Sequence, residues 1–153
     1  MKLQKATCFA LYAVLELAAD PGRQVAAGEI AEKYQISLHH LAKVMRDLGR
    51  AGIVEAARGV GGGYRFCGNA KRLTLLDVIE LFEPLSPERF GNDDSRPETD
   101  VGRAMRLVLN EIDEHAVATF SSITISTMLK IVRQRPWATA VAERKQRARA
   151  QRG

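Results

Sequence analysis

Apolar side chains first recur at helical spacing near the start of the chain, where Phe9, Ala13 and Leu17 form one stripe and Leu11, Leu15 and Ala18 lie one step round it. The pattern predicts a helix over residues 5 to 19, stopped by Asp20-Pro21-Gly22. Residues 26 to 34 predict a shorter helix with Ile30 and Ala31 inward and Glu29, Glu32 and Lys33 outward. Ser37 then reads as the N-cap of a third helix, its hydroxyl placed to accept a backbone N–H one turn on. In that helix Leu41, Val44, Met45 and Leu48 share the inner face, which leaves His39, His40, Lys43, Arg46 and Asp47 outside.

Beyond the third helix the period changes. Residues 52 to 57 and 63 to 67 read as two strands joined by Arg58-Gly59-Val60-Gly61-Gly62, a glycine-rich hairpin. Residues 73 to 81 predict a further helix, capped by Asn69 or Thr74 and closed by Pro84. Pro87, Pro97 and the run Gly91-Asn92-Asp93-Asp94 make the next stretch a loop. From Glu98 onward Val101, Met105, Val108, Ile112, Ala116 and Phe120 recur at steps of three or four, a stripe of about six helical turns. So long an apolar face exceeds what a small core covers, and it is the expected two-fold contact of a homodimer, with Val101, Met105, Val108, Ile112 and Phe120 as the dimerisation residues. Residues 125 to 132 read as a shorter packing helix, and residues 143 to 153 as a basic tail without an apolar anchor.

Two short helices in close succession, the second basic on its outer face, form a helix-turn-helix pattern, and the hairpin behind them reads as a wing. The expected fold is therefore mainly α with a small β-hairpin wing: a winged helix-turn-helix plus a long C-terminal dimerisation helix. The expected units are a DNA-binding domain over residues 1 to 83, a loop over 84 to 97, dimerisation helices over 98 to 133 and a basic, flexible tail over 134 to 153.

Charge agrees with that division. The chain carries a net charge of +5, and residues 37 to 72 hold seven Lys or Arg against Asp47 and Glu55, whereas residues 84 to 114 hold four Arg against eight acids. A basic stretch built on a helix and a wing fits duplex DNA. The expected DNA-binding residues are Ser37, Leu38, His39, His40, Lys43 and Arg46 on the recognition helix, with Arg58, Gly59, Val60, Gly61 and Tyr64 on the wing. Arg46 suits bidentate reading of a base edge, Lys43 a phosphate clamp, and Arg58 the minor groove. The same glycines are a poor nucleotide cradle, because Tyr64-Arg65-Phe66 continues as a strand where a phosphate loop needs a helix.

Other chemistries find little support. No nucleophile has an identifiable base and no carboxylates pair in a plausible pocket, so the chain does not read as an enzyme. His39 and His40 are adjacent and point about 100° apart on a helix, which makes them poor joint metal ligands, and neither a metal site nor a cofactor is expected. The two cysteines, Cys8 and Cys67, form no disulfide framework. Cys8, three residues after Lys5, is a possible redox thiol or a small buried filler. No segment approaches the roughly 20 apolar residues of a membrane span, and Glu16 interrupts the one run resembling a signal peptide, so a cytoplasmic protein is expected.

The ordered motifs Met1-Lys2-Leu3 with Tyr12-Ala13, Ile36-Ser37-Leu38, Leu48-Gly49-Arg50-Ala51-Gly52, Arg58-Gly59-Val60-Gly61-Gly62-Gly63-Tyr64 and Asp77-Val78-Ile79 resemble the Rrf-type family, which includes IscR, NsrR and CymR. The match covers residues 1 to about 83 closely and the rest in layout. The resemblance implies a homodimeric bacterial transcription regulator, usually a repressor, whose operator is palindromic and whose long C-terminal helix crosses that of its partner. Many members hold an iron-sulfur cluster through three cysteines in and just after the loop preceding that helix. Residues 84 to 110 here contain no cysteine, which excludes that ligand set. In some cluster-bearing relatives an acidic N-terminal side chain completes the shell, and the equivalent residue here is Cys8. Alternative readings are a regulator with atypical metal or cluster ligands among Cys8, Cys67, His39, His40 and His115, or a winged-helix adaptor that binds protein instead of DNA.

Overall fold

The computed structural model describes residues 2 to 85 and 99 to 135. The chain opens with α1 (Lys5–Ala19), followed by α2 (Ala27–Tyr34) and α3 (Leu38–Arg50), then the hairpin strands β1 (Val54–Ala57) and β2 (Gly63–Phe66). It continues through α4 (Leu75–Glu80), α5 (Asp100–Ser122) and α6 (Ile125–Gln134). The architecture is a winged helix-turn-helix extended by a long C-terminal helix. Most of the expected loop and all of the expected tail beyond residue 135 lie outside the described residues.

Helix α1 is the spine of the core. Ala10, Ala13, Val14 and Leu17 are fully buried along it, and it packs on α3, α4, α6 and the hairpin. This shifts the expected stripe: Leu11, Leu15 and Phe9 are only partly buried, because the small side chains of Ala10 and Ala13 let neighbouring elements come closest on their side. Ile30, Leu41, Met45, Leu48, Ile79 and Ile125 are among the largest side chains buried with them. Each such side chain contributes about 1.5–3 kcal/mol by leaving water. Outside this core, Glu16 accepts hydrogen bonds from Lys33 Nζ at 2.8 Å and Tyr34 Oη at 2.7 Å, tying α1 to α2. Burial opposes ionisation of Glu16, but these two donors outweigh it and hold the carboxyl below its usual range.

Two local devices set the turn before α3. Gln35 adopts a left-handed conformation (φ 53°) and its N–H returns to the end of α2, closing that helix within one residue. Ser37 then caps α3, its side chain accepting from His40 N at 3.2 Å. Ser37→Ala removes the capping acceptor and is expected to cost about 1 kcal/mol, read as a melting temperature lower by about 2–4 °C. An unchanged melting temperature would mean that water replaces the cap at no cost.

The hairpin pairs antiparallel with Val54 opposite Phe66 and Glu55 opposite Arg65. Its strands are shorter than the sequence suggests because Ile53 N–H closes onto Leu48 O of α3, and Cys67 N–H onto Ile53 O. Val25 bonds both ways with Tyr64 (2.9 and 2.8 Å), so the segment between α1 and α2 flanks the wing. At α4 the cap is Thr74, which exchanges hydrogen bonds with Asp77; Asn69 instead accepts from Lys71 N–H in the preceding turn.

Helix α5 behaves differently from every other long helix. None of its 23 residues is buried among the described residues. Val117 and Phe120 near its C-terminus pack on the core, and the junction to α6 is stitched to α4 by Leu75 N–H to Ile123 O and Ile125 N–H to Leu73 O. Upstream of Val117 the helix contributes no side chain to the core cluster.

Candidate nucleic-acid interface

The helix-turn-helix is built from α2, the tight turn at Gln35 and α3. Because Leu41, Val44, Met45 and Leu48 are buried, the geometry of an α-helix forces residues one step round to face solvent. His39, His40, Lys43 and Arg46 are all exposed there, as is Leu38 at the first position of the helix. Asp47, which the sequence places with them, is half-buried and faces Arg50 at 3.8 Å.

The wing turn presents Val60 fully to solvent, and Arg58 is exposed beside it. Its glycines serve the turn itself. Gly59 and Gly61 hold φ of 107° and 76°, which disfavour any side chain. At Gly62 an added Cβ would lie 2.6 Å from Ala57 O. Tyr64 sits apart from the exposed tip, half-buried against the core beside Val25.

Internal ion pairs decide which of the basic residues remain available. Arg65 pairs with Glu55 across the hairpin and Arg50 with Asp47 along α3. Among the described residues no ion pair engages Lys43, Arg46, Arg58, Lys71 or Arg72. The regional surplus of five positive charges read from the sequence thus coincides with five cations that have no carboxylate partner among the described residues. Sequence pattern does not single out Lys71 and Arg72, at the turn before α4. Their own lack of an ion pair among the described residues places them with Lys43, Arg46 and Arg58.

The expected dimerisation residues divide into two groups. Val101, Met105, Val108 and Ile112 are each more than half exposed, with values from 52% to 74%, and Leu107 joins them at 70%. Phe120 is partly covered by the chain's own core. His115 is exposed and its Nδ1 lies 2.7 Å from Glu111 O, a contact within its own helix.

Cys8 is half-buried on α1, and Cys67 is exposed at the end of β2 with its Sγ 3.2 Å from Gly52 O. Burial, and then the charge of Glu55, push the Cys67 thiol up, opposed by Arg65, so its thiolate is disfavoured. Among the described residues no three His, Cys, Asp or Glu side chains gather as a metal-ligand group. With one cysteine on α1 and the other behind β2, the donor set of the chain does not fit an iron-sulfur cluster, which typically takes four cysteine-type ligands. Among the described residues no helix is long and apolar enough to cross a membrane.

Comparison with known proteins agrees with this geometry. The profile of the Rrf2 family, described as "Iron-dependent Transcriptional regulator", matches residues 3–131. A protein of Rhodopseudomonas palustris named as an HTH-type transcriptional regulator, BadM, is 54% identical over 134 residues, covering 86% of this chain and 83% of its own. The structure of CymR, the global cysteine regulator of B. subtilis, superposes with a TM-score of 0.72 at 26% identity, covering 85% of this chain and 97% of CymR. IscR of T. potens shares the fold with a TM-score of 0.68 at 23% identity, over 86% of this chain and 88% of that one. The chain belongs to the Rrf2 family of transcriptional regulators.

Proposed function

We propose that this regulator binds a palindromic duplex DNA operator as a homodimer, usually to repress, with α3 in the major groove and the wing along the adjacent minor groove. The observation that carries the reading is the set of cations on α3 and the wing without ion-pair partners among the described residues, set against ion-paired Arg50 and Arg65. Arg46 and His40 read base edges, Lys43 clamps a phosphate, and Arg58 enters the minor groove, where narrow A·T-rich geometry deepens the negative potential. Ser37, Leu38 and His39 lie at the leading end of the helix, and Gly59, Val60 and Gly61 bring the wing backbone close to the sugar-phosphate chain. Two chains meet through the exposed stripe Val101, Met105, Val108 and Ile112, with Phe120 at its edge, which sets the spacing of two half-sites. Retention of random duplex DNA on a filter across a salt series tests the reading. A DNA-binding regulator gives salt-sensitive retention, whereas a protein-binding adaptor gives none.

A thiol response belongs to the same proposal. Cys8 lies on the helix against which α3, α4, α6 and β2 pack, whereas burial and the charge of Glu55 raise the pKa of the Cys67 thiol. Persulfidation or oxidation of Cys8 adds bulk to a half-buried position, shifts α1 against the DNA-binding unit and weakens operator binding. Polysulfide treatment is expected to raise the operator Kd several-fold in the natural chain and to leave Cys8→Ser unaffected. Unchanged affinity, with mass spectrometry confirming modification of Cys8, leaves that residue a structural one.

A further inference from the structure

Behind the exposed face of α3 lies a cleft of about 560 Å³ between α1, the start of α3 and Phe82. Its size falls within the range of small-molecule sites, roughly 300–1,000 Å³. Phe9, Ile36, Val44 and Phe82 give it apolar walls. Lys5, His40 and Lys43 bring cationic or protonatable groups to the same walls, while the carboxylate of Asp47 also lines the cleft and lies 3.8 Å from Arg50. Neither Lys5 nor Lys43 has an ion-pair partner among the described residues. Ser37 and the positive end of the 13-residue α3 border the space as well. Two aromatic rings, two branched aliphatic side chains and two lysines against one carboxylate suit one kind of ligand.

We infer that this cleft binds a small organic anion, an apolar body carrying one carboxylate or sulfonate, and that its occupancy opposes DNA binding. The regulatory half rests on the proposed DNA-binding role of α3. Lys43 and His40 line the cleft and also stand on the exposed face of that helix, so an anion that draws them inward competes with DNA for the same side chains. By linkage, DNA must weaken the anion as much as the anion weakens DNA.

The test uses the full-length protein and the fluorescent anion 1-anilinonaphthalene-8-sulfonate, first without DNA. Saturable binding at one probe per chain is expected, displaced by phenylacetate but not by inorganic phosphate at equal concentration. Lys5→Glu, at an exposed residue outside the proposed DNA contacts, should weaken the probe about tenfold with an unchanged circular dichroism spectrum, and Phe82→Ala should do the same. Binding that is absent, that Lys5→Glu leaves unchanged, or that phosphate displaces as well as phenylacetate does, overturns the site. The second arm measures duplex DNA affinity: saturating phenylacetate should raise the DNA Kd at least fivefold in the natural chain and less than twofold in Lys5→Glu. Probe binding without this linkage overturns the regulatory half. Failure to bind DNA even without ligand counts against the DNA-binding proposal, and the first arm still decides the cleft.

Discussion

Replacing Val108 and Ile112 together by Asp is expected to convert a dimer into a monomer and to lower operator affinity by about 100-fold or more. The expectation starts from α5, a 23-residue helix with no buried residue, whose apolar stripe upstream of Val117 takes no part in the core. At about 1.5 Å per residue the part of the helix upstream of Val117 runs roughly 25 Å, and an apolar stripe of that length left uncovered marks a contact surface. In a two-fold contact each substitution occurs twice, so four carboxylates would enter one apolar seam. A charge buried there without a partner is costly enough to break the contact. DNA binding falls because linked half-site binders gain about 10²–10⁴ in avidity over separate ones. The fold itself should survive, since Val108 and Ile112 are 52% and 58% exposed in the single chain. Sedimentation velocity at micromolar concentration gives the answer, and a natural chain that sediments as a monomer would sink the proposal.

The second large effect separates reading from clamping on the DNA surface. Arg46→Ala and His40→Ala should each cost about 1–3 kcal/mol on the cognate site and relax preference at one base position. Arg58→Ala should do its greatest damage on sites with A·T-rich flanks, because the benefit of a minor-groove Arg depends on groove width. All three residues are exposed and away from the core, so stability is not expected to change. Binding-site selection on each variant provides the readout. Selected sites identical to those of the natural chain would remove these side chains from base recognition.

Much of this organisation is legible in the sequence because periodicity and capping are local. The inner face of α3 follows from the spacing of Leu41, Val44, Met45 and Leu48, and its start from the hydroxyl of Ser37. The wing follows from glycines in a turn between two alternating runs, although the close approach of Ala57 O that Gly62 permits within the hairpin is not legible there. What sequence leaves open depends on contacts between distant residues. The partial burial of Leu11 and Leu15 reflects which neighbours α1 meets on each side. Arg65 counts with the other basic residues of the stretch until the hairpin register sets it opposite Glu55. Phe120 continues the stripe of Val108 and Ile112 in sequence, yet the stitching of the α5–α6 junction to α4 brings it onto the chain's own core. The cleft is equally invisible beforehand, since Lys5, Lys43 and Phe82 come from three separate parts of the chain.

That α3 and the wing form the DNA-binding surface is tested most directly by one salt titration of duplex DNA affinity. The natural chain is compared with a triple variant, Lys43→Ala, Arg46→Ala and Arg58→Ala. Removing one cation from a phosphate flattens the slope of log affinity against log salt by about 0.9. The account predicts a much weaker affinity for the variant and a slope lower by at least about one unit, with dimerisation intact. An affinity and slope equal to those of the natural chain would contradict it.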